Sequence, residues 1–247
     1  MKEKISRLFD VLEILFHRKG GFNYLKKPTR SLASFQILNR IHSLIPELGT
    51  VVDVGANQGQ FAVAVSRFYP RAKIYSFEPV PDTFQKLKAF TAHMSQIEVF
   101  NFGLGSDTGN IDFYQNEHSH ASSALRISDI QVKELPETAH THTITVPIKR
   151  LDEVAKSFHL EKQNPTLLKL DVQGFEKEVL NGAQQFIDQV DYLLFEASFV
   201  PMYEGEPLFS EMHAYVTSLG FRLMGPVGAL EGSGQRILQM DMLYARL

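Results

Sequence analysis

The segment Asp53-Val54-Gly55-Ala56-Asn57-Gln58-Gly59 puts one carboxylate and two glycines where a β-branched run gives way to helical spacing. Glycine at such a turn lets the backbone come close to a ligand. The spacing is G-x-x-x-G. It is not the G-x-G-x-x-G of dinucleotide folds, nor a phosphate loop ending in Gly-Lys-Ser/Thr. The next apolar run ends in Phe77-Glu78-Pro79, with Glu78 19 residues beyond Gly59. An acid there can accept from both hydroxyls of a ribose, and Asp53 suits a cationic or amine-bearing group. A nucleoside with an amino-acid tail, S-adenosylmethionine, meets both demands. The expected contacts are Asp53, Gly55, Asn57, Gly59 and Glu78, with adenine against Asn101, Gly103 and Leu104.

A second group of acids follows later in the chain. Asp171 closes an apolar run, Gly174 opens a helical one, and Glu176 falls in its first turn, where an acid favours the helix dipole. At the end of its strand, Asp171 can orient an amine, accept a hydroxyl proton or bind a metal. Glu196 ends the next apolar run and is a second catalytic candidate or a capped buried carboxylate. Methyl transfer to a hydroxyl needs in-line positioning and a general base. His118-x-His120 and His140-x-His142 have the alternation that could chelate on a strand. Gly, Ser, Asn and Thr surround both pairs, so they read as solvated loop positions and no metal site is expected. Ser122 and Ser123, in the same loop, are candidate contacts for a polar acceptor.

These residues need a scaffold that brings strand ends together. Short apolar runs at 50–55, 73–77, 97–102, 167–171 and 192–197 alternate with helical spacing at 59–68, 82–93, 176–190 and 209–219. Runs at 222–224 and 238–245 close the chain. Such alternation predicts a parallel α/β sheet covered on both faces, with ligands at the carboxyl ends of its strands. Residues 105–165 interrupt the pattern with two extra strands, 111–114 and 144–148, around a polar, His-containing connection. The expected organisation is an N-terminal helical extension over 1–45 and one domain over 46–247 carrying a β-rich insertion.

Composition narrows the function. The 247 residues include no Cys, which excludes disulfides, Cys-ligated zinc and thiol nucleophiles. A net charge of −3 argues against nucleic acid as a partner. Charge is uneven, however: residues 1–30 hold eight Lys or Arg against three acids. Ile5, Leu8, Phe9, Leu12, Leu15 and Phe16 form one apolar stripe there. Residues 1–20 are therefore expected as an amphipathic helix. It would serve its own fold or a homodimer, or lie peripherally on an anionic inner membrane face. No apolar run spans a membrane, and the protein is expected to be cytoplasmic.

Over about residues 45–247 the chain resembles the FkbM-family S-adenosylmethionine-dependent methyltransferases. The likeness rests on 53–59, Phe77-Glu78-Pro79, Asn101 to Gly109, Leu151-Asp152, Lys169-Leu170-Asp171-Val172-Gln173-Gly174-Phe175-Glu176 and Leu219-Gly220-Phe221. It implies a Rossmann-like class I methyltransferase fold: a seven-stranded, mostly parallel sheet whose last strand is antiparallel and inserted beside the sixth. It also implies O-methylation of a hydroxyl on a sugar, glycolipid or polyketide-type acceptor. N-methylation, or nucleoside binding without catalysis, are the alternatives. The family pattern usually has Glu where this chain has Gln173.

Overall fold

The computed structural model describes residues 31–160 and 164–247. The basic segment 1–30 lies outside the described residues, and with it the expected amphipathic helix.

Helix α1 (Leu32–Leu44) precedes strand β1 (Thr50–Val54), helix α2 (Gln60–Phe68), strand β2 (Lys73–Phe77), helix α3 (Pro81–Thr91) and strand β3 (Ile97–Phe100). An insertion follows: β4 (Gly103–Leu104), β5 (Gly109–Asn116), the short helix α4 (Asp129–Glu134) and β6 (Thr141–Lys149). After α5 (Leu151–Val154) come β7 (Thr166–Leu170), α6 (Glu176–Asn181), β8 (Tyr192–Ser198), α7 (Phe209–Ser218), β9 (Phe221–Glu231) and β10 (Ile237–Arg246).

The main sheet has the order β3-β2-β1-β7-β8-β10-β9. Strand β10 runs antiparallel to both of its neighbours, and the other pairings are parallel. This is the Rossmann-like class I methyltransferase arrangement. Strands β4, β6 and β5 form a separate three-stranded sheet.

Strand alternation divides the core into two layers. Val51, Ile74, Leu167, Leu194 and Leu243 face α1 and α2, meeting Phe35, Leu38, Ile41, Phe61 and Val65. Their neighbours Val52, Tyr75, Leu168, Leu193 and Tyr244 face the other way, towards Val179, Leu180, Met212 and Val216. Burying each such Leu, Val or Phe contributes roughly 1.5–3 kcal/mol. Helix α1, within the stretch assigned to an extension, thus packs into the domain core. Its first turn is capped by the Ser31 hydroxyl, which accepts from the Ser34 amide at 3.1 Å.

One expected helix is shorter than its pattern. Instead of running from 176 to 190, α6 stops at Asn181, and only a 3-10 turn, Phe186–Gln189, follows. Gly182 lies against the insertion: a Cβ there would meet the Gly105 carbonyl oxygen at 1.9 Å. The Asp152 carboxylate then takes the amides of Gln185 and Phe186, both at 2.9 Å. A long-range cap replaces continued helix, and Leu151-Asp152 emerges as a structural signature.

Candidate active site

The carboxyl ends of β1 and β7 meet backbone to backbone. Gly55 has φ +75°, and a Cβ on it would sit 1.9 Å from the Asp171 carbonyl oxygen. The Asp171 amide donates to the Val54 carbonyl at 3.0 Å, and the Gly55 and Ala56 amides both donate to the Phe77 carbonyl. The first glycine is therefore required where three strand ends converge. Gly59 serves differently. It opens α2 at φ +90°, and a Cβ there would press on Leu87 of α3 at 2.9 Å. It packs helices and lines neither of the cavities described below.

A narrow cleft, partly open to solvent, lies above this convergence. Gly55, Asn57, Glu78 and Asp171 form its polar side, and Leu104, Ile111, Phe113, Val146 and Ile148 its apolar wall. The insertion therefore supplies most of the apolar surface. Gly103 also lines the cleft, and a Cβ there would crowd Ile148 at 3.2 Å.

Glu78 faces this space while holding the turn beneath it. One carboxylate oxygen accepts from the Asn57 amide and the other from the Val80 amide, each at 2.9 Å. Burial raises its pKa to about 7 against the pull of those two amides. Asn57, at φ +49°, is clasped from above by the insertion: Ser119 Oγ donates to its side-chain oxygen at 3.1 Å, and its amide nitrogen lies 3.4 Å from His120 Nδ1. Asn101, expected beside adenine, instead donates to the Glu78 and Pro79 carbonyls at 3.0 and 3.2 Å. It braces the turn from outside the cleft lining.

Asp53 is where the structure departs most from expectation. It is fully buried below the turn, lines neither cavity, and its cation comes from the protein: Lys169 Nζ at 2.9 Å. The same ammonium donates to the Gly55 carbonyl at 3.0 Å and lies 3.4 Å from Asp171. Burial disfavours the charge, yet the carboxylates of Asp53 and Asp171 overcome it and hold Lys169 charged. Sequence reasoning missed Lys169. A lysine two residues before Asp171 on a strand was the available signal, because i and i+2 share a face.

A second space opens on the α1 side and shares Gly55, Asn57, His120 and Asp171 with the first. Lys169, Glu196 and Asp241 line it with residues of α1 and α2. Asp171 and Glu196, near the ends of adjacent strands, share one side-chain donor. Gln173 Nε2 donates to Asp171 at 2.7 Å and to Glu196 at 3.1 Å. Burial and the charges of Asp171, Asp241 and Glu176 raise the Glu196 pKa well above the usual carboxylate range. Asp241 pairs across the sheet with Glu196, and burial beside Asp171 raises its pKa to about 6. Asp241 was not foreseen, since its strand comes 45 residues later in the chain.

The remaining candidates are occupied locally. Glu176, buried with its pKa raised to about 8, accepts from the Val172 and Gly174 amides and secures its own helix start. Ser123 is buried and donates to the Gln173 carbonyl at 2.7 Å, so it is not free for an acceptor. Ser122 accepts from the Asn116 amide at 3.0 Å and lines the first cleft, against the apolar wall. Among the described residues, no group of three or more His, Asp or Glu is placed to hold a metal ion.

The family model for the methyltransferase FkbM domain matches residues 53–223. The chain belongs to the FkbM methyltransferase family. It is an S-adenosylmethionine-dependent methyltransferase, and the matched span takes in the whole lining of the first cleft and reaches Glu196 of the second. Relatives include the 2-O-methyltransferase NoeI of Sinorhizobium fredii, 25% identical over 189 residues, covering 74% of this chain and 76% of that protein. The hexuronic acid methyltransferase AglP of Haloferax volcanii is 28% identical over 145 residues, covering 58% of this chain and 54% of that one. Among solved structures, the N-terminal domain of EvdMO1 with SAH bound aligns over 93% of this chain and 84% of that chain, at 9% identity and a TM-score of 0.48. Among the described residues, no helix of this methyltransferase is long and apolar enough to cross a membrane.

The first cleft fits the cofactor chemically. An apolar slot leads to a buried carboxylate suited to hydroxyl donors, and it is floored by a glycine cradle that any side chain would fill. The second space, lined by Asp171, Glu196 and Asp241, is contiguous with it.

Proposed function

We propose that this enzyme O-methylates a hydroxyl of a sugar or glycan acceptor. The convergence of Asp171 and Glu196 beside the cofactor cleft carries the reading. The sugar-directed name of AglP and the 2-O-methyltransferase name of NoeI support the acceptor class. When bound, S-adenosylmethionine supplies an electrophilic methyl group. Glu78 and the Gly55 turn hold the nucleoside, and Gly103 and Leu104 with the insertion's apolar wall cover its base. Glu196 is the proton acceptor for the attacking hydroxyl, because its raised proton affinity brings it nearer to working pH. Asp171 binds the same hydroxyl or its neighbour, steadied by Lys169. The Ser119–His120 clasp on Asn57 ties the insertion to the turn beside the cleft.

The acceptor on a lipid carrier is the version that gives the basic segment 1–20 a role. It would hold the enzyme peripherally at the cytoplasmic membrane face, each Lys or Arg near anionic lipid adding roughly 1 kcal/mol. The deciding experiment incubates the protein with labelled S-adenosylmethionine and a panel of neutral, uronic and lipid-linked oligosaccharides, then locates the label by mass spectrometry. Label on a sugar oxygen is the expected result. Label on nitrogen, or none with any acceptor despite cofactor binding, overturns it.

A further inference from the structure

Gln173 stands where the family pattern usually has Glu, and the structure gives that difference a physical content. Its side-chain NH2 group has two hydrogens and both are used, one on Asp171 at 2.7 Å and one on Glu196 at 3.1 Å. Its carbonyl oxygen accepts from the Tyr203 hydroxyl at 2.7 Å. Turning the amide over would set its oxygen against two carboxylates and lose both bonds, so the network itself fixes the orientation. The backbone is held as firmly. Gln173 has φ +57°, uncommon for a residue with a side chain, and its carbonyl is tied to Ser123 Oγ at 2.7 Å. Tyr203 is anchored in turn, its amide donating to the Glu206 carboxylate at 2.9 Å.

We propose that Gln173 is the positioning residue of the carboxylate pair, holding Asp171 and Glu196 in one orientation as joint acceptors of its neutral amide. The inference rests on the reading of Glu196 as proton acceptor. A glutamate at this place has no hydrogen to give unless it is protonated, and would add a third charge to a crowded site. Other groups also face Glu196: Lys169 on β7, Asp171 just after it, Asp241 on β10, Glu176 at the start of α6 and Tyr203 after β8. His120 of the insertion lines the same space. Of these, only the amide of Gln173 donates to Glu196. Ser123 and the Tyr203 anchor therefore link the insertion and the β8–α7 loop to the proton acceptor.

The test follows the Glu196 carboxyl directly, by carbon-13 NMR titration of the full-length protein labelled at glutamate side chains, with Glu196→Gln assigning the signal. Removing the donor in Gln173→Met should raise the Glu196 midpoint. Gln173→Glu should raise it further, by about one pH unit or more. On the acid limb of the pH profile, methyl transfer should then fall about tenfold for each unit of displacement. Tyr203→Phe, which leaves both carboxylates and Gln173 in place, should move the midpoint in the same direction by less, and it decides the matter if Gln173→Glu does not fold. Unchanged midpoints in folded variants would overturn the proposal, whatever the activity does. The titration needs no acceptor. A midpoint that moves while transfer ignores pH upholds the role of Gln173 and removes Glu196 as the base.

Discussion

At the β1–β2 edge each acid has donors of its own. Glu78 holds two backbone amides, Asp53 holds Lys169, and the glycine turn is locked by hydrogen bonds to the Phe77 carbonyl. At the β7–β8–β10 edge the arrangement is reversed: Asp171 and Glu196 share one amide, and Asp171 takes only a share of Lys169. The first edge is built to hold a constant ligand in a fixed shape. The second keeps carboxylates crowded, and burial among those charges raises the proton affinity of Glu196 and Asp241, which suits moving a proton. Lys169 belongs to both, its ammonium tying the Gly55 turn to Asp171.

The sharpest break of this contrast is Glu196→Gln. If the crowded edge does the proton transfer, turnover should drop roughly 10²–10⁴-fold while binding of the demethylated cofactor, measured by calorimetry, stays within a few-fold. Equal loss of binding and turnover would place Glu196 on the cofactor side instead. Next comes Lys169→Met, which strands the buried Asp53 carboxylate. Breaking a buried pair from one side costs roughly 3–5 kcal/mol, read as a lower denaturation midpoint in urea. A loss below about 1 kcal/mol would mean that the two edges are not joined through this ammonium.

A smaller effect is expected on the cofactor side. Glu78→Ala removes a charged acceptor and leaves two amides without it, so cofactor affinity should weaken by roughly 1.5–3 kcal/mol. Because ribose hydroxyls would donate to the ionised carboxylate, wild-type affinity should also fall as pH drops through about 7. Affinity independent of both the substitution and the pH would remove Glu78 from the binding site.

The two edges also differ in how far the sequence discloses them. Gly55, Asn57 and Glu78 lie at strand ends, and turn chemistry is local, so their cluster is legible from spacing. The seven-stranded sheet is legible for the same reason, through alternating strand and helix patterns. Whether a strand-end acid faces the ligand is not local. Asp53 is pulled inward by Lys169, a contact across 116 residues, and Gly59 answers to Leu87 of another helix. On the other edge Asp171 and Glu196 stand out as strand-end acids. Asp241, and the amide that joins the pair, become visible only when β10 is inserted between β8 and β9. Ser122 and Ser123 show the converse: loop composition marks them for an acceptor, and only the fold shows that they also secure the Asn116 amide and Gln173.

The last effect concerns stability, spread over two groups, and its sign separates this protein from the usual case. Burial raises Glu78 to about 7 and Glu176 to about 8, from an ordinary value near 4.5. A carboxyl whose folded pKa is raised binds more protons in the native state than in the unfolded one between those values. Its contribution is therefore fully present below about pH 4.5 and is lost as pH rises through 7 and 8. Glu134, lowered by its bonds to Ser233, works in the opposite sense, but only as pH falls below the ordinary glutamate range. Moving from pH 8.5 to 6 should thus stabilise the fold by roughly 2–4 kcal/mol, a rise in melting temperature of roughly 5–10 °C for a chain of this size. Calorimetric scans across that interval measure it. Glu176→Gln and Glu78→Gln should each flatten part of the slope, the first mainly near pH 8 and the second mainly near pH 7. A melting temperature that stays level or falls towards pH 6 would mean that these buried carboxyls are ionised in the native state, and that the amides around them outweigh their burial.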